Sequence, residues 1–551
     1  MKDIKKEEKT IDKTKIRFNV LAVFLIAIFC FSITPITLQN DTFYTIKIGE
    51  HIVQNGIDMH DPFSYHDISY TYPHWLYDVC IYLIYNIGGH VGIYISTVIL
   101  SITLGLLMYF VNSKITKNNL TSFIITIGAM YLMRPYIAAR AQLVTFILFL
   151  LTIYFIEQFL NTKKKGYAVG LVIIPILIAN FHLAVFPFYF ILYLPYIAEY
   201  GVYIMQHGGI VVATSKINSL HKKLKKTDDE KEIENIKNMI IELEQKIDRL
   251  QKRYKKANEN PYKIKIVGND VVKALIIILI ICIFTGLITP LKWTPYTYLI
   301  NTMKGSTTHN ISEHLPLTLM ENLEFICVLM IFLGILMFTD TKIRLSDLFM
   351  LGGLLLLSFY TRRQISIFII VCSLILNKLI CSMFDKYNPE ACKNGIKYIC
   401  KPIGMITTIA IVLTCCVNNY KPKMGNQFID EKAYPIYAAE YIINNLDINN
   451  IRLYNEYNYG SYLLYKGIPV FIDSRADLYS PEFNKDVTVF NDFLDLSSGN
   501  DNFEETLDKY QITHMIMYKN AKLRTIIKQN KEEYNLLYED DYFCIYERKK
   551  V

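Results

Sequence analysis

The stretch that follows the first apolar block of the chain opens QNDTFYTIKIGEHIVQNG, and it sets the carboxylate of Asp41 where an apolar segment gives way to water. A carboxylate at such a boundary can take a proton from an acceptor hydroxyl as a general base. It can equally cap the helix that follows, because Phe43, Ile46, Ile48, Ile52 and Val53 make an amphipathic turn pattern that Gly56 is placed to end. Asp61, before a proline in DPFSY, offers a second acid or the side chain of an Asx-turn. Arg134, Arg140, Arg362 and Arg363 flank apolar blocks. Their planar forks suit phosphate, and a lipid phosphate is the anion at hand at that depth; the alternative is snorkelling to head groups. His74, His182, Glu313 and His314 are further candidates for contacts to substrate, His182 with sugar hydroxyls or phosphate or else as a satisfied helix-end histidine.

These groups need a scaffold, and the composition says which. Of 551 residues 52% are hydrophobic and 20% charged, and the apolar residues come in blocks of roughly the 20 residues that cross a bilayer as a helix. Intrinsic disorder, a secreted disulfide scaffold and a soluble multidomain enzyme are excluded. The net charge of +8 does not mark a nucleic-acid binder, because the basic residues are spread in short groups between apolar blocks. Among the eleven cysteines, Cys30, Cys282, Cys327, Cys372, Cys415 and Cys416 lie within apolar runs, and no metal-ligand spacing occurs. Walker, Rossmann and HExxH patterns are also missing.

Spans are expected over 18–36, 91–111, 120–133, 143–160, 167–180, 184–205, 271–291, 323–338, 345–360, 365–381 and 403–417, about eleven in all. The shorter 75–87, with Asp78 and several tyrosines, is expected to lie along the outer interface; counting it as a span would carry the lysines of 163–165 and of 206–269 to the outside. The chain is thus read as an α-helical polytopic membrane protein with five parts. A basic leader over 1–17 stays inside and precedes a retained anchor. Spans over 18–205 carry an outer loop at 37–90, and 270–417 holds the remaining spans. The insertion 206–269 repeats Ile and Leu at 3–4 spacing as a cytoplasmic coiled-coil hairpin, turning at Thr227, Asp228 and Asp229 and ending its seam at Tyr254. Residues 418–551 form a small extracytoplasmic α/β domain with a helix over 432–446 and strands at 451–454, 470–473, 514–518, 534–539 and 542–547. The spans look nearly free of charge at mid-membrane depth.

The order of these features resembles the C-type glycosyltransferase superfamily, which includes protein O-mannosyltransferases and lipid A aminoarabinose transferases. The resemblance rests on Asp41, IKIGEHIVQNG (46–56), YPHWLYDVCIYLIYNIGG (72–89), RAQ (140–142), NFH (180–182), EHLP (313–316), RR (362–363), NEYNYGSYLLY (455–465) and FIDSRADLY (471–479), and it covers the chain outside the 206–269 hairpin. It implies a multi-pass protein of a bacterial cell membrane, N-terminus inside, that moves a sugar with inversion from a polyprenyl-phosphate donor to an extracytoplasmic glycan, lipid or protein. Asp41 would be the base and Asp61 a second acid for acceptor positioning or a divalent cation. The four arginines would hold the donor phosphate, and Tyr457, Tyr459 and Tyr462 could offer faces to sugars. The chain departs from the paired acids common in that superfamily: Asn40 and Thr42 flank Asp41, and His74 stands where relatives carry another acid. Two further readings stand beside this one, a lipid-linked glycan flippase or transporter and a non-catalytic envelope scaffold.

Overall fold

The structure is a computed structural model of the chain. It describes residues 2–225, 227, 229–258, 263–305, 307–500 and 502–549, and of 2–12, 254–258 and 308 the backbone alone. Asp228 and the side chain of Tyr254, which the sequence assigns to the hairpin, lie outside the described residues, as do Met1 and the side chains of the leader up to residue 12.

Helices dominate. The first half runs α1 (Lys2–Ile33), α2 (Asn40–Asn55), α3 (Trp75–Thr116), α4 (Asn119–Met133), α5 (Ala141–Thr162), α6 (Lys165–Phe181), the short α7 (Phe186–Ile191), α8 (Leu194–Leu224) and α9 (Glu230–Asn258). The second runs α10 (Val271–Thr285), α11 (Thr294–Lys304), the four-residue α12 (Thr307–Asn310), α13 (Leu323–Phe338), α14 (Leu345–Tyr360), α15 (Ile365–Tyr387), α16 (Ala391–Ile399) and α17 (Pro402–Tyr420). Among the described residues, six helical stretches are long and apolar enough to cross a membrane: Lys13–Ile33, Trp75–Thr116, Ala141–Thr162, Leu183–Leu224, Arg362–Tyr387 and Pro402–Lys423. Lys165–Phe181, Val271–Thr285, Leu323–Phe338 and Leu345–Tyr360 are apolar but shorter. Large apolar side chains such as Phe284, Phe338, Leu356 and Ile403 stand on the outside of the bundle, where a water-soluble protein would show polar residues. The chain is an α-helical membrane protein.

At 42 residues α3 would measure about 63 Å as one rod, twice the hydrocarbon thickness. It breaks at Gly89, whose φ of 57° and ψ of −148° only glycine adopts readily. The arm before the break, carrying the 75–87 segment, packs on α2 rather than in the bundle. There Tyr77 and Ile81 are buried in a core that also holds Phe43, Ile46 and Ile48 of α2 and the C-terminal residues Tyr459, Tyr462 and Phe471. The two helices touch closely at Gly49: a β-carbon there would lie 2.1 Å from the carbonyl oxygen of Asp78.

The C-terminal part contributes α18 (Ile436–Asn445), α19 (Tyr457–Tyr465), α20 (Val489–Ser498), α21 (Phe503–Lys509) and α22 (Lys522–Ile527). Two short strands, β1 (Ile264–Lys265) and β2 (Ile343–Arg344), pair in parallel beside the bundle. The C-terminal sheet takes β3 (Leu453–Tyr454), β4 (His514–Tyr518), β5 (Tyr534–Glu539) and β6 (Phe543–Arg548) in the order β3–β4–β6–β5. Three of the five expected strands match closely. The first shrinks to two residues, and 470–473 is no strand, forming a single bridge from Val470 to Ser64 of the outer loop. That bridge follows from the shared core: the segment pairs with the loop rather than the sheet. Tyr459 and Tyr462 are buried, Tyr459 donating its hydroxyl to the Ile516 carbonyl, so neither offers a face to a sugar.

Within the hairpin, α9 turns back along the end of α8, and Ile217, Leu220, Ile236 and Ile240 are its buried contacts, joined by Leu224, Leu243 and Ile247.

Gly49→Ala should force α2 and α3 apart, at a cost of about 1–3 kcal/mol, the range for overpacking a tight contact. Thermal unfolding of the variant in detergent checks this; an unchanged midpoint would show that the crossing is looser than described.

Candidate functional site

Where α4, α5, α14 and α15 end on one side of the bundle, their connections surround a cavity of about 260 Å³. Pro135 closes α4 with a single 3-10 turn, Arg134–Tyr136. The chain then bends through Ala138 and Ala139, where the Arg140 N–H donates to the Ala138 carbonyl at 2.8 Å, and reaches Arg140, the N-cap residue of α5, at φ −132° and ψ 152°. Across the cavity another 3-10 turn, Arg362–Gln364, joins α14 to α15, and a third, Ser312–His314, lines it from the segment before α13. The walls comprise Gln39, Tyr136, Arg140, Gln142, Ser312, Glu313, Arg362 and Arg363 with Pro135 and Ala138.

Arg140 is the centre of charge. Its Nη2 lies 2.8 Å from Asp41 Oδ2, and its Nη1 donates to Glu313 Oε1 at 3.0 Å. Asp41 is therefore not the cap of α2. That position is Gln39, with no side-chain cap bond, and Asp41 stands in the first turn with its carboxylate turned to the arginine. Three buried polar atoms here lack a hydrogen-bond partner among the described residues: Gln39 Oε1, Asn40 Oδ1 and Arg140 Nε.

The other arginines differ. Arg362 Nη2 meets Glu321 Oε2 at 3.1 Å and Thr318 Oγ1 at 3.2 Å, and its Nε donates to the Pro316 carbonyl. Arg134 leaves the cavity: it stacks on Tyr131 at 3.9 Å and pairs with Glu324 at 2.8 Å. Arg363 lines the cavity and, among the described residues, has neither an ion-pair nor a side-chain hydrogen-bond partner. Its charge reaches Glu313 and His314. Burial pushes the His314 imidazole down, aided by Arg363 against Glu313, to about 4, so that ring is neutral near pH 7. Burial alone would raise the Glu313 carboxyl, but Arg140 and then Arg363 hold it below its usual value, so it is ionised.

The remaining expected residues lie elsewhere. His182 ends α6 and pairs through Nδ1 with Thr145 Oγ1 at 2.8 Å in a buried position. His74 bonds Asp78 through Nδ1 at 2.7 Å and faces the Tyr44 hydroxyl through Nε2 at 3.2 Å. The fully buried Asp78 thus has a partner one helical turn away, a pairing that the sequence signalled by spacing alone. Asp61 is not at the cavity. Its oxygens accept the backbone N–H of Ser64 at 3.0 Å and Arg475 Nη1 at 2.7 Å, and Arg475 also clasps Asp473 at 2.6 Å, with all three side chains at most 3% exposed. The turn is the one its DPFS sequence suggests; its charge is committed to tying the segment between α2 and α3 to the C-terminal residues around Asp473 and Arg475. Among the described residues no group of three or more His, Cys, Asp or Glu is arranged to hold a metal.

Sequence reasoning did not find Gln39, Tyr136 and Ser312 in the wall, because uncharged side chains give no signal without the fold. It also passed over charge inside the bundle. Lys378 of α15 lies 2.9 Å from Glu157 of α5 and 3.0 Å from Asp347 of α14, while Arg344 meets Glu199 of α8 at 2.7 Å. Tyr196 donates to Glu157 at 3.0 Å. The apolar runs of 143–160, 184–205, 345–360 and 365–381 mask Glu157, Glu199, Asp347 and Lys378, and on α5 Glu157 sits about 25 Å from the cavity by helical rise.

No protein-family model and no curated protein matches the chain.

The Asp61–Arg475–Asp473 group makes a stability prediction. Burial would raise the Asp61 carboxyl, but Arg475 and the bonds from Ser64 outweigh it and hold it below the ordinary carboxylate range. Its stabilising share is therefore complete above about pH 4 and is lost as pH falls through the lowered value. Arg475→Met strands two buried carboxylates and should destabilise by about 3–5 kcal/mol. Without the arginine, burial dominates, so the variant should gain stability between about pH 7 and 4, where the wild type does not. Melting curves across that range check it; parallel pH profiles would remove the triad as a stabilising element.

Proposed function

We propose that the protein is an integral-membrane glycosyltransferase that moves a sugar from a polyprenyl-phosphate carrier to an acceptor outside a bacterial cell membrane. The observation that carries this reading is the guanidinium of Arg363, with neither an ion pair nor a side-chain hydrogen bond among the described residues, lining one cavity with Arg140 and Arg362. A guanidinium without a contact ion pair at the edge of an apolar bundle is costly unless an anion serves it. In this reading eleven spans cross the bilayer with the N-terminus inside, the 206–269 hairpin is cytoplasmic, and the cavity and C-terminal domain face outward.

The chemistry is a single in-line displacement. The acceptor hydroxyl oxygen attacks the anomeric carbon while the bond from that carbon to the phosphate oxygen breaks, and the phosphate leaves with the bonding electron pair. Asp41 takes the hydroxyl proton on its carboxylate, which Arg140 holds in place at 2.8 Å. Arg363 and Arg140 stabilise the charge that builds on the leaving phosphate. His314, neutral near pH 7, leaves that charge to the guanidinia.

One observation favours a second reading. The Glu157–Lys378–Asp347 group with Arg344 and Glu199 buries charge within the helices, as transporters do on a substrate or proton path. A lipid-linked glycan flippase would use the same arginine cavity for its cargo's phosphate. The scaffold reading gains no such support.

The test uses purified protein with a panel of radiolabelled polyprenyl-phosphate sugars. Wild type should turn over one donor, and Asp41→Asn should lose about 10²–10⁴-fold in rate with donor binding kept. Donor binding with no turnover, accompanied by lipid translocation in vesicles, would replace this reading with the flippase. An Asp41→Asn enzyme as fast as wild type would remove Asp41 as the base.

A further inference from the structure

Three of the four outer arginines are met by glutamates of one segment. Glu313 takes Arg140, Glu321 takes Arg362 and Glu324 takes Arg134, all within the twelve positions from 313 to 324. These glutamates are 47, 61 and 54% exposed, so their ion pairs are weak and screened. The segment buries little else: Leu317 is its buried side chain, while Met320 and Leu323 stand exposed. Its backbone is fastened at its middle, where Leu317 N–H donates to the Phe359 carbonyl and Leu315 accepts from Arg362 N–H. Upstream, the chain is rooted in the C-terminal domain, because Asp477 accepts from Tyr298, Thr302 and Thr307.

We propose that 312–324 is an internal anionic strap, in which Glu313 and Glu321 occupy the seats of a phosphate-bearing ligand and are displaced from Arg140 and Arg362 when that ligand binds. The inference rests on the reading of the cavity as a phosphate site and adds its regulation. Three observations converge on it. The carboxylate of Glu313 already forms with Arg140 the type of charge-assisted contact that a phosphate oxygen would form. The Ser312–His314 turn that carries it supplies Ser312 and Glu313 to the cavity wall, so the group that mimics the ligand already stands inside the site. Arg363 has no glutamate of its own, which leaves one cation to receive an incoming anion before the strap has moved. A ligand phosphate would meet Arg363 first and then compete with Glu313 for Arg140. The cost of opening is small because the segment has few buried contacts.

Binding and strap release are then one linked equilibrium, and weakening the strap must strengthen binding. The full-length protein in nanodiscs of zwitterionic lipid is titrated with polyprenyl phosphate and, separately, with inorganic phosphate. Wild type is compared with the double variant Glu313→Gln/Glu321→Gln and with Arg363→Ala, each checked for a wild-type melting midpoint. Hydrogen exchange of peptides covering 305–324 is followed in the same samples. The double variant should bind polyprenyl phosphate about three- to tenfold more tightly. Arg363→Ala should bind it about tenfold more weakly, and exchange over 312–324 should rise on binding to wild type. Tighter binding of inorganic phosphate by the double variant would also support the strap and would show that the head group alone displaces it. Loss of binding in Arg363→Ala, with unchanged affinity in the double variant and unchanged exchange, would overturn the strap and keep the phosphate site. No binding of either ligand to wild type would overturn both. If the double variant melts early, Glu321→Gln alone, on the more exposed pair, carries the same comparison.

Discussion

A guanidinium at the boundary of an apolar bundle must find negative charge, and Arg140 finds it in two places remote in sequence, Asp41 and Glu313. That requirement organises the cavity end of the bundle. It draws the first turn of α2, the cap of α5 and the segment before α13 to one point. The cavity is the space left beside that junction, with Arg362 and Arg363 delivered to its far wall by the turn between α14 and α15. The carboxylate proposed as base is thus held by the same cation that borders the proposed phosphate seat, so the two halves of a transfer reaction share one positioning group.

The molecule treats its charges in two ways, and burial separates them. Arg475 with Asp61 and Asp473 is enclosed in the core shared by the segment between α2 and α3 and the C-terminal part; removing one partner there strands the others, so the contact is permanent. The pairs around the cavity are a quarter to three-fifths exposed, each contributing about 0–1 kcal/mol, and they can exchange partners without unfolding anything. Fixed pairs hold the C-terminal domain on the loop, and exchangeable pairs ring the cavity. The proposed phosphate site, which would admit and release a charged lipid, needs the second kind.

Much of this could be read from the chain. Each expected apolar segment lies largely within helix, because long apolar runs have one solution in lipid. Three strands of the C-terminal domain were visible in their alternation, and Arg140, Arg362, Arg363, Asp41 and Glu313 were all singled out before they were seen together. What sequence does not encode locally is partnership. Asp61 and Asp41 look alike in a loop, yet one meets a buried arginine 414 residues away and the other an arginine at a cavity. Tyr459 and Tyr462 look like sugar platforms until the α2 face covers the helix that bears them. Lys378 and Glu157 vanish in a hydropathy average, since one charge in a run of twenty apolar residues hardly moves it.

That last pair bears on how the cavity can work. α5 presents Arg140 at one end and Glu157 near the other, and α14 runs from Asp347 to the turn that carries Arg362 and Arg363. Lys378 bonds Glu157 and Asp347 together, so α5, α14 and α15 are pinned to one another at the end remote from the cavity. Pulling a buried charge from such a group costs several kcal/mol, more than the exposed pairs of the rim could supply. Any opening at the cavity is therefore confined to parts that the bundle does not own, and the segment from Ser312 to Asn322, held by exposed pairs, two backbone bonds and the bonds of Arg362 to Pro316 and Thr318, is the part that fits this condition. The clamp at one end of the helices is what makes a movable cover at the other end sufficient, because the walls need not move for the seat to change hands.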